Sequence, residues 1–213
     1  MSDSVLVKTV LKKYRKYRLK PFEEIIREIF AHFSSIEGLK GKNIIELGPG
    51  TKIRMLNFLS SETQAASVQG IGRSIEWFWL PHKDLRRNML TNSYLLPELK
   101  TRKSNSIDLI FSRHVLEEQS INPFILLGSS IYWKYIKENR FKNPGTDFPA
   151  SAPNIQAVFK EAFRLLRHGG IIISEIGRES RNPIDDKYLK KLKPKRTAKR
   201  SIGRFSSIYT VVK

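Results

Sequence analysis

Asn43-Ile44-Ile45-Glu46-Leu47-Gly48-Pro49-Gly50-Thr51-Lys52 is the stretch whose reading decides the fold. A short apolar run ends in an acid, two glycines follow, and a helix-like segment begins at Ile53. In a strand–turn–helix of this kind, glycines let the backbone turn sharply and approach a ligand closely. The helix start leaves N–H groups free, and a carboxylate accepts hydrogen bonds from hydroxyl or amino groups of a ligand. Ordinary strand-to-helix turns also use glycine, so the turn alone fits a nucleotide-type binding loop and a purely structural corner equally well.

Two further blocks lie downstream. Ser106-Ile-Asp-Leu-Ile-Phe-Ser-Arg-His-Val-Leu-Glu-Glu118 is a buried-strand pattern leading into a helix. From Asn154 an amphipathic helix runs into the Gly169-Gly170 stop, and an apolar strand follows to Ile176. In this order and spacing the three blocks resemble the class I S-adenosylmethionine-dependent methyltransferases, in their small-molecule branch. The resemblance covers about Lys42 to Ile176, and Ser207–Lys213 is similar to the family's last strand.

The resemblance implies a Rossmann-like three-layer αβα fold, its sheet mainly parallel with an antiparallel last strand. It also implies S-adenosyl-L-methionine as cofactor. The cofactor's amino-acid part would lie over Glu46, Gly48 and Gly50, with Pro49 and Thr51 in the same loop and Ser112 beneath. Gly72 and Arg73, at the end of the second strand, would face the ribose. Two departures stand out. Lys52 occupies the place of a third glycine, and Gly72 that of the acid that grips the ribose hydroxyls. One lost charge-assisted pair costs about 1.5–3 kcal/mol. Glu76 lies four residues on as a candidate replacement.

Methyl transfer in its simplest form needs positioning and sometimes a base, not a metal. His114, at the end of the fourth strand, is the candidate catalytic base, with Glu117 and Glu118 one helical turn on; a packing role fits it as well. His32, His82 and His168 lie on outer helices or in a turn. No His/Asp/Glu set has metal-ligand spacing, so no metal is expected. The Asp-Pro-Pro-Tyr tetrapeptide of adenine and glutamine amino-group methylases is absent, which argues against those classes. The chain has no cysteine, so cysteine-dependent methyl transfer to C5 of cytosine is excluded.

At 213 residues the chain fits one domain with a sizeable core. We read residues 1–40 as leading basic, amphipathic helices and 41–213 as the methyltransferase-like domain. Val7, Val10, Leu11, Tyr14 and Tyr17 fall near one helical face over residues 5–19, and a second helix runs from Phe22 to Phe33. Strands are expected at Asn43–Leu47, Ser67–Ile71, Arg87–Thr91 and Ile107–Ser112. Trp77, Phe78 and Trp79 fall in a helix starting near Ile75. Residues 119–153 form an insertion, with a helix over Pro123–Glu138 and a loop over the active face. The basic run Lys187–Arg200 reads as an exposed loop between the last strands.

The formal net charge of +19 is uneven. Residues 1–20 carry seven Lys/Arg against one acid, and residues 181–213 carry eleven against two. The ends therefore suit a polyanion such as nucleic acid or an anionic surface, or else serve as a solubilising surface. No run is long and apolar enough to span a membrane, and no secretory signal is visible, so a cytoplasmic protein is expected. The leading expectation is a methyltransferase acting on oxygen or nitrogen of a small or medium-sized acceptor. The alternatives are a non-catalytic methyltransferase-fold protein that binds nucleic acid or another acidic partner through its basic ends, and an RNA methyltransferase.

Overall fold

A computed structural model of the chain describes residues 3–49, 53–72, 90–92, 95–113, 115, 152–177, 184, 186–202 and 206–213. Seven strands are formed by β1 (Asn43–Leu47), β2 (Ser67–Gly72), β3 (Leu90–Asn92), β4 (Ile107–Arg113), β5 (Leu166–Gly177), β6 (Arg196–Ile202) and β7 (Ser206–Val212). They make one sheet in the order β3-β2-β1-β4-β5-β7-β6. The pairs from β3 to β5 are parallel, and β7 runs antiparallel to both β5 and β6. The sheet thus has the mixed architecture expected from the sequence, including the antiparallel last strand.

Six helices cover it among the described residues: α1 (Asp3–Lys13), α2 (Glu23–Phe33), α3 (Arg54–Glu62), α4 (Leu95–Thr101), α5 (Ala152–Leu165) and α6 (Asp186–Leu192). The strands sort their side chains by parity. Ile44, Leu109, Phe111, Ile171, Ile173 and Ile208 join the core formed with α1, α2 and α3. Ile45, Leu47, Ile110, Ile172 and Tyr209 join the core formed with α4, α5 and α6. Burial on both faces explains why β4 and the centre of β5 are apolar almost throughout, as internal parallel strands are. In α5 the stripe Ile155, Val158, Phe159, Ala162 and Leu165 is fully buried, at helical spacing.

The leading helices pack into the same core as the sheet. Val7, Val10 and Tyr14 are buried with Ile25, Ile26, Ile29 and Phe30 of α2. The first helix is shorter than its apolar pattern suggested. It stops at Lys13, and a single 3-10 turn, Arg15–Tyr17, follows before Arg18 adopts φ +53°. Tyr14 and Tyr17 keep their places because both rings pack on Phe58 of α3, at 5.1 and 5.8 Å between centroids.

Two expectations need correction. The basic run Lys187–Arg200 is not a loop, since α6 and β6 occupy most of it. β6 is an edge strand, paired to β7 over seven residues. Such a strand is held by its backbone ladder with most side chains in solvent, so it lacks the apolar signature of the inner strands. The third strand runs one residue further than expected, to Asn92, and is held by Gly70↔Leu90, Ile71↔Thr91 and Gly72↔Asn92, while residues 87–89 lie outside the described residues. The helix expected near Ile75 and the insertion at 119–151 lie outside the described residues.

Candidate functional site

The strand order reverses between β1 and β4, and in open α/β sheets ligands bind at the carboxyl ends of strands around that switch. Glu46 and Leu47 on one side and Ser112 and Arg113 on the other flank this crevice. The register pairs Glu46 with Gly70 and Phe111, and Leu47 with Ile71 and Ser112.

Glu46 is 2% exposed, and its Oε2 has no hydrogen-bond partner among the described residues. Its strand neighbours, a glycine and a phenylalanine, offer no side-chain donor. Burial alone pushes its carboxyl group up to about 8. An uncompensated buried carboxyl is costly, and one at a strand end beside a crevice is a functional-site signature.

Gly48 turns the chain out of β1 with φ +63°, a conformation open to glycine at little cost. Its N–H donates to Ile71 O at 2.8 Å, which ties the turn to β2. A Cβ here would sit 2.5 Å from a Val115 methyl group, so the segment after β4 packs directly on the glycine. Pro49 is buried beside Gly70, whose missing side chain makes room for Pro49, Leu56 and Leu90. Ile53 then enters α3 with φ +37° and no side-chain cap. Gly50, Thr51 and Arg73 lie outside the described residues, as does His114.

Gly72 closes β2 and is buried, so this strand end carries no side chain. Ser112 is fully engaged with Ser174 of β5, hydroxyl to hydroxyl at 2.9 Å. By parity it points to the α4–α6 face, whereas Glu46 points to the α1–α3 face.

Two residues absent from the sequence expectations share the Glu46 face. Arg113 donates from Nε to Glu175 Oε2 at 3.1 Å, and its guanidinium lies 5.8 Å from the Phe22 ring centroid. Glu175 is 7% exposed, while the Arg113 side chain is 36% exposed. A signal for this pair existed. β4 ends in Ser-Arg and β5 carries Ser-Glu near its end, and the parallel register sets serine against serine and arginine against glutamate. Phe22 comes from the short 3-10 turn before α2, so the leading helical segment reaches the carboxyl edge of the sheet. No group of acids and histidines able to hold a metal occurs among the described residues.

This strand order and crevice define the class I methyltransferase fold. Solved structures with the same architecture include an S-adenosylmethionine-dependent methyltransferase from Archaeoglobus fulgidus, at 8% identity, 96% of this chain, 98% of that chain and TM-score 0.56. A protein from Pyrococcus horikoshii matches at 11% identity over 93% of this chain and 90% of that one, with TM-score 0.56. The magnesium protoporphyrin IX methyltransferase of Synechocystis, solved with bound S-adenosylmethionine, matches at 12% identity over 100% and 98%, with TM-score 0.50. No family model matches the sequence, and no curated protein matches it. At these identities the likeness establishes the fold.

Proposed function

We propose that this chain is an S-adenosylmethionine-dependent methyltransferase acting on oxygen or nitrogen of a small or medium-sized acceptor. The observation that carries the reading is Glu46, a buried carboxyl group at the switch point of the sheet whose Oε2 has no hydrogen-bond partner among the described residues. A cationic amino group fits such a site, because it supplies the missing hydrogen bonds and the opposite charge together. S-adenosylmethionine has that group, and when bound it brings an activated methyl on its sulfonium. Glu46 would hold the amino-acid part, with the Gly48–Gly50 backbone, Pro49 and Thr51 around it. Ser112 braces β4 under the crevice through Ser174.

The half-exposed Arg113, held by Glu175, is the group we assign to orienting a polar acceptor. His114, the next residue in the chain, is the candidate for taking the acceptor's proton. Chemistry without cysteine suits a cytoplasmic setting, and no helix among the described residues is long and apolar enough to cross a membrane.

Gly72 favours a second reading, a methyltransferase-fold protein without catalysis, since the ribose would lack its acid. Titration calorimetry with S-adenosylmethionine and S-adenosylhomocysteine separates the two. Binding that Glu46→Gln weakens at least tenfold supports the enzyme, whereas no heat from either compound supports the non-catalytic protein. Gly72→Asp then tests the ribose position. Its carboxylate should tighten binding by about tenfold or more, and unchanged affinity would place the ribose elsewhere.

A further inference from the structure

The basic run that looked like a loop builds a groove. α6 descends one face of the sheet edge, the chain turns at Lys193 with φ +52°, and β6 climbs back beside β7. Between them lies a groove of about 520 Å³ lined by Lys190, Lys193, Lys195, Arg196 and Thr197, with Asp186 at one end. All four basic side chains are exposed, and none has an ion-pair partner among the described residues. Some neighbouring and distant cations are instead paired. Lys16 pairs with Glu62, and Arg200, on β6 itself, is held by Glu24 and Glu28 of α2.

We propose that this groove binds the phosphodiester backbone of single-stranded nucleic acid. Charges on β6 alone would be explained by protection of an edge strand from pairing with another chain. That need does not extend to Lys190 on α6 or to Lys193 in the turn, which lie off the strand. Cations gathered around one groove from helix, turn and strand suit a narrow chain of phosphates. A flat anionic membrane would be better served by exposed apolar anchors, and the one large exposed hydrophobic residue among those described is Val5, on α1.

The groove is separate from the candidate cofactor site. Arg196 pairs with Val212, Val212 with Ile171 and Ile171 with Leu109, which places it at the amino end of the parallel strands, opposite Glu46. Four strand spacings lie between β1 and β6, about 19 Å at ~4.8 Å each and well beyond a Debye length of about 8 Å.

The test uses the full chain and a fluorescein-labelled single-stranded RNA, with anisotropy followed against KCl concentration. Four phosphate contacts predict a slope of log K against log salt of about −2.8. The variant Lys190→Ala/Lys193→Ala/Lys195→Ala should bind at least tenfold more weakly, with the slope reduced to about −0.7. The control Lys8→Ala/Lys12→Ala/Arg15→Ala removes the same charge from α1 and the 3-10 turn after it and should change affinity less than threefold. Equal losses in both variants would overturn the proposal, because binding would then follow net charge. So would a groove variant that binds like the parent with an unchanged melting curve. Tighter retention by phosphatidylserine vesicles than by RNA, lost in the same groove variant, would assign the groove to a membrane and also overturn it.

Discussion

At the scale of single residues, Glu46 carries the sharpest consequence. Its folded-state value of about 8 lies above the ordinary carboxylate range because burial penalises the charged form. Below about pH 4.5 the group is protonated folded and unfolded alike, so it exacts no pH-linked penalty. As pH rises from there to 8, the unfolded chain releases the proton and the folded chain keeps it. Stability should therefore fall by up to about 1.4 kcal/mol per pH unit across that window and level off above it. Glu46→Gln should remove this slope, which urea melts at pH 5 and pH 8 would show; parallel curves for both proteins would mean that Glu46 titrates normally. Binding of a cationic ligand has the opposite pH dependence. The ligand needs the carboxylate, so its affinity should tighten by as much as ~tenfold per unit from pH 6 toward 8. The stability slope requires no ligand, which keeps the two effects experimentally distinct.

At the scale of elements, α2 is locked to the sheet edge by a polar clasp. Arg200 of β6 reaches Glu24 at 2.7 Å and Glu28 at 2.8 Å, and the Thr210 hydroxyl of β7 donates to Glu28 Oε2 at 3.0 Å. Arg200→Ala leaves Glu28 without its cation, while Glu24 keeps Arg27 at 3.2 Å. Because Arg200 is 42% exposed, solvent screening limits the cost to about 1 kcal/mol, or ~2–4 °C in Tm for a domain of this size. Adding Glu28→Gln should restore about half of the loss. If the single variant melts like the parent, the clasp is a loose surface contact. Elements also show what the sequence made legible. β1, β4, α5 and β7 could be read because each buries a face or stripe, and burial writes periodicity or an apolar run into the residues. α6 and β6 could not, because an exposed edge strand is specified by backbone pairing and leaves no such trace. The candidate site divides the same way. Glu46 and Gly48 announce themselves by type and spacing, but the Arg113–Glu175 pair exists only through the register of two strands 62 residues apart.

At the scale of the molecule, the sheet separates two kinds of chemistry. The carboxyl edge holds the buried carboxyl group of Glu46, and the amino end of the far edge holds the exposed cations of the α6–β6 groove. A ligand that binds only the folded state stabilises it by mass action. S-adenosylmethionine at one hundred times its Kd should add about 2.7 kcal/mol, raising the melting temperature by ~5–10 °C. A single-stranded RNA in the groove should add its own shift, and that shift should vanish in high salt while the cofactor's persists. With the sites about 19 Å apart across the sheet, the coupling free energy should be near zero. The two shifts should then sum, and saturating RNA should leave the cofactor's Kd within threefold of its value without RNA. A larger change in Kd would show that groove and crevice are linked, and reciprocity would require the cofactor to alter RNA affinity by the same factor.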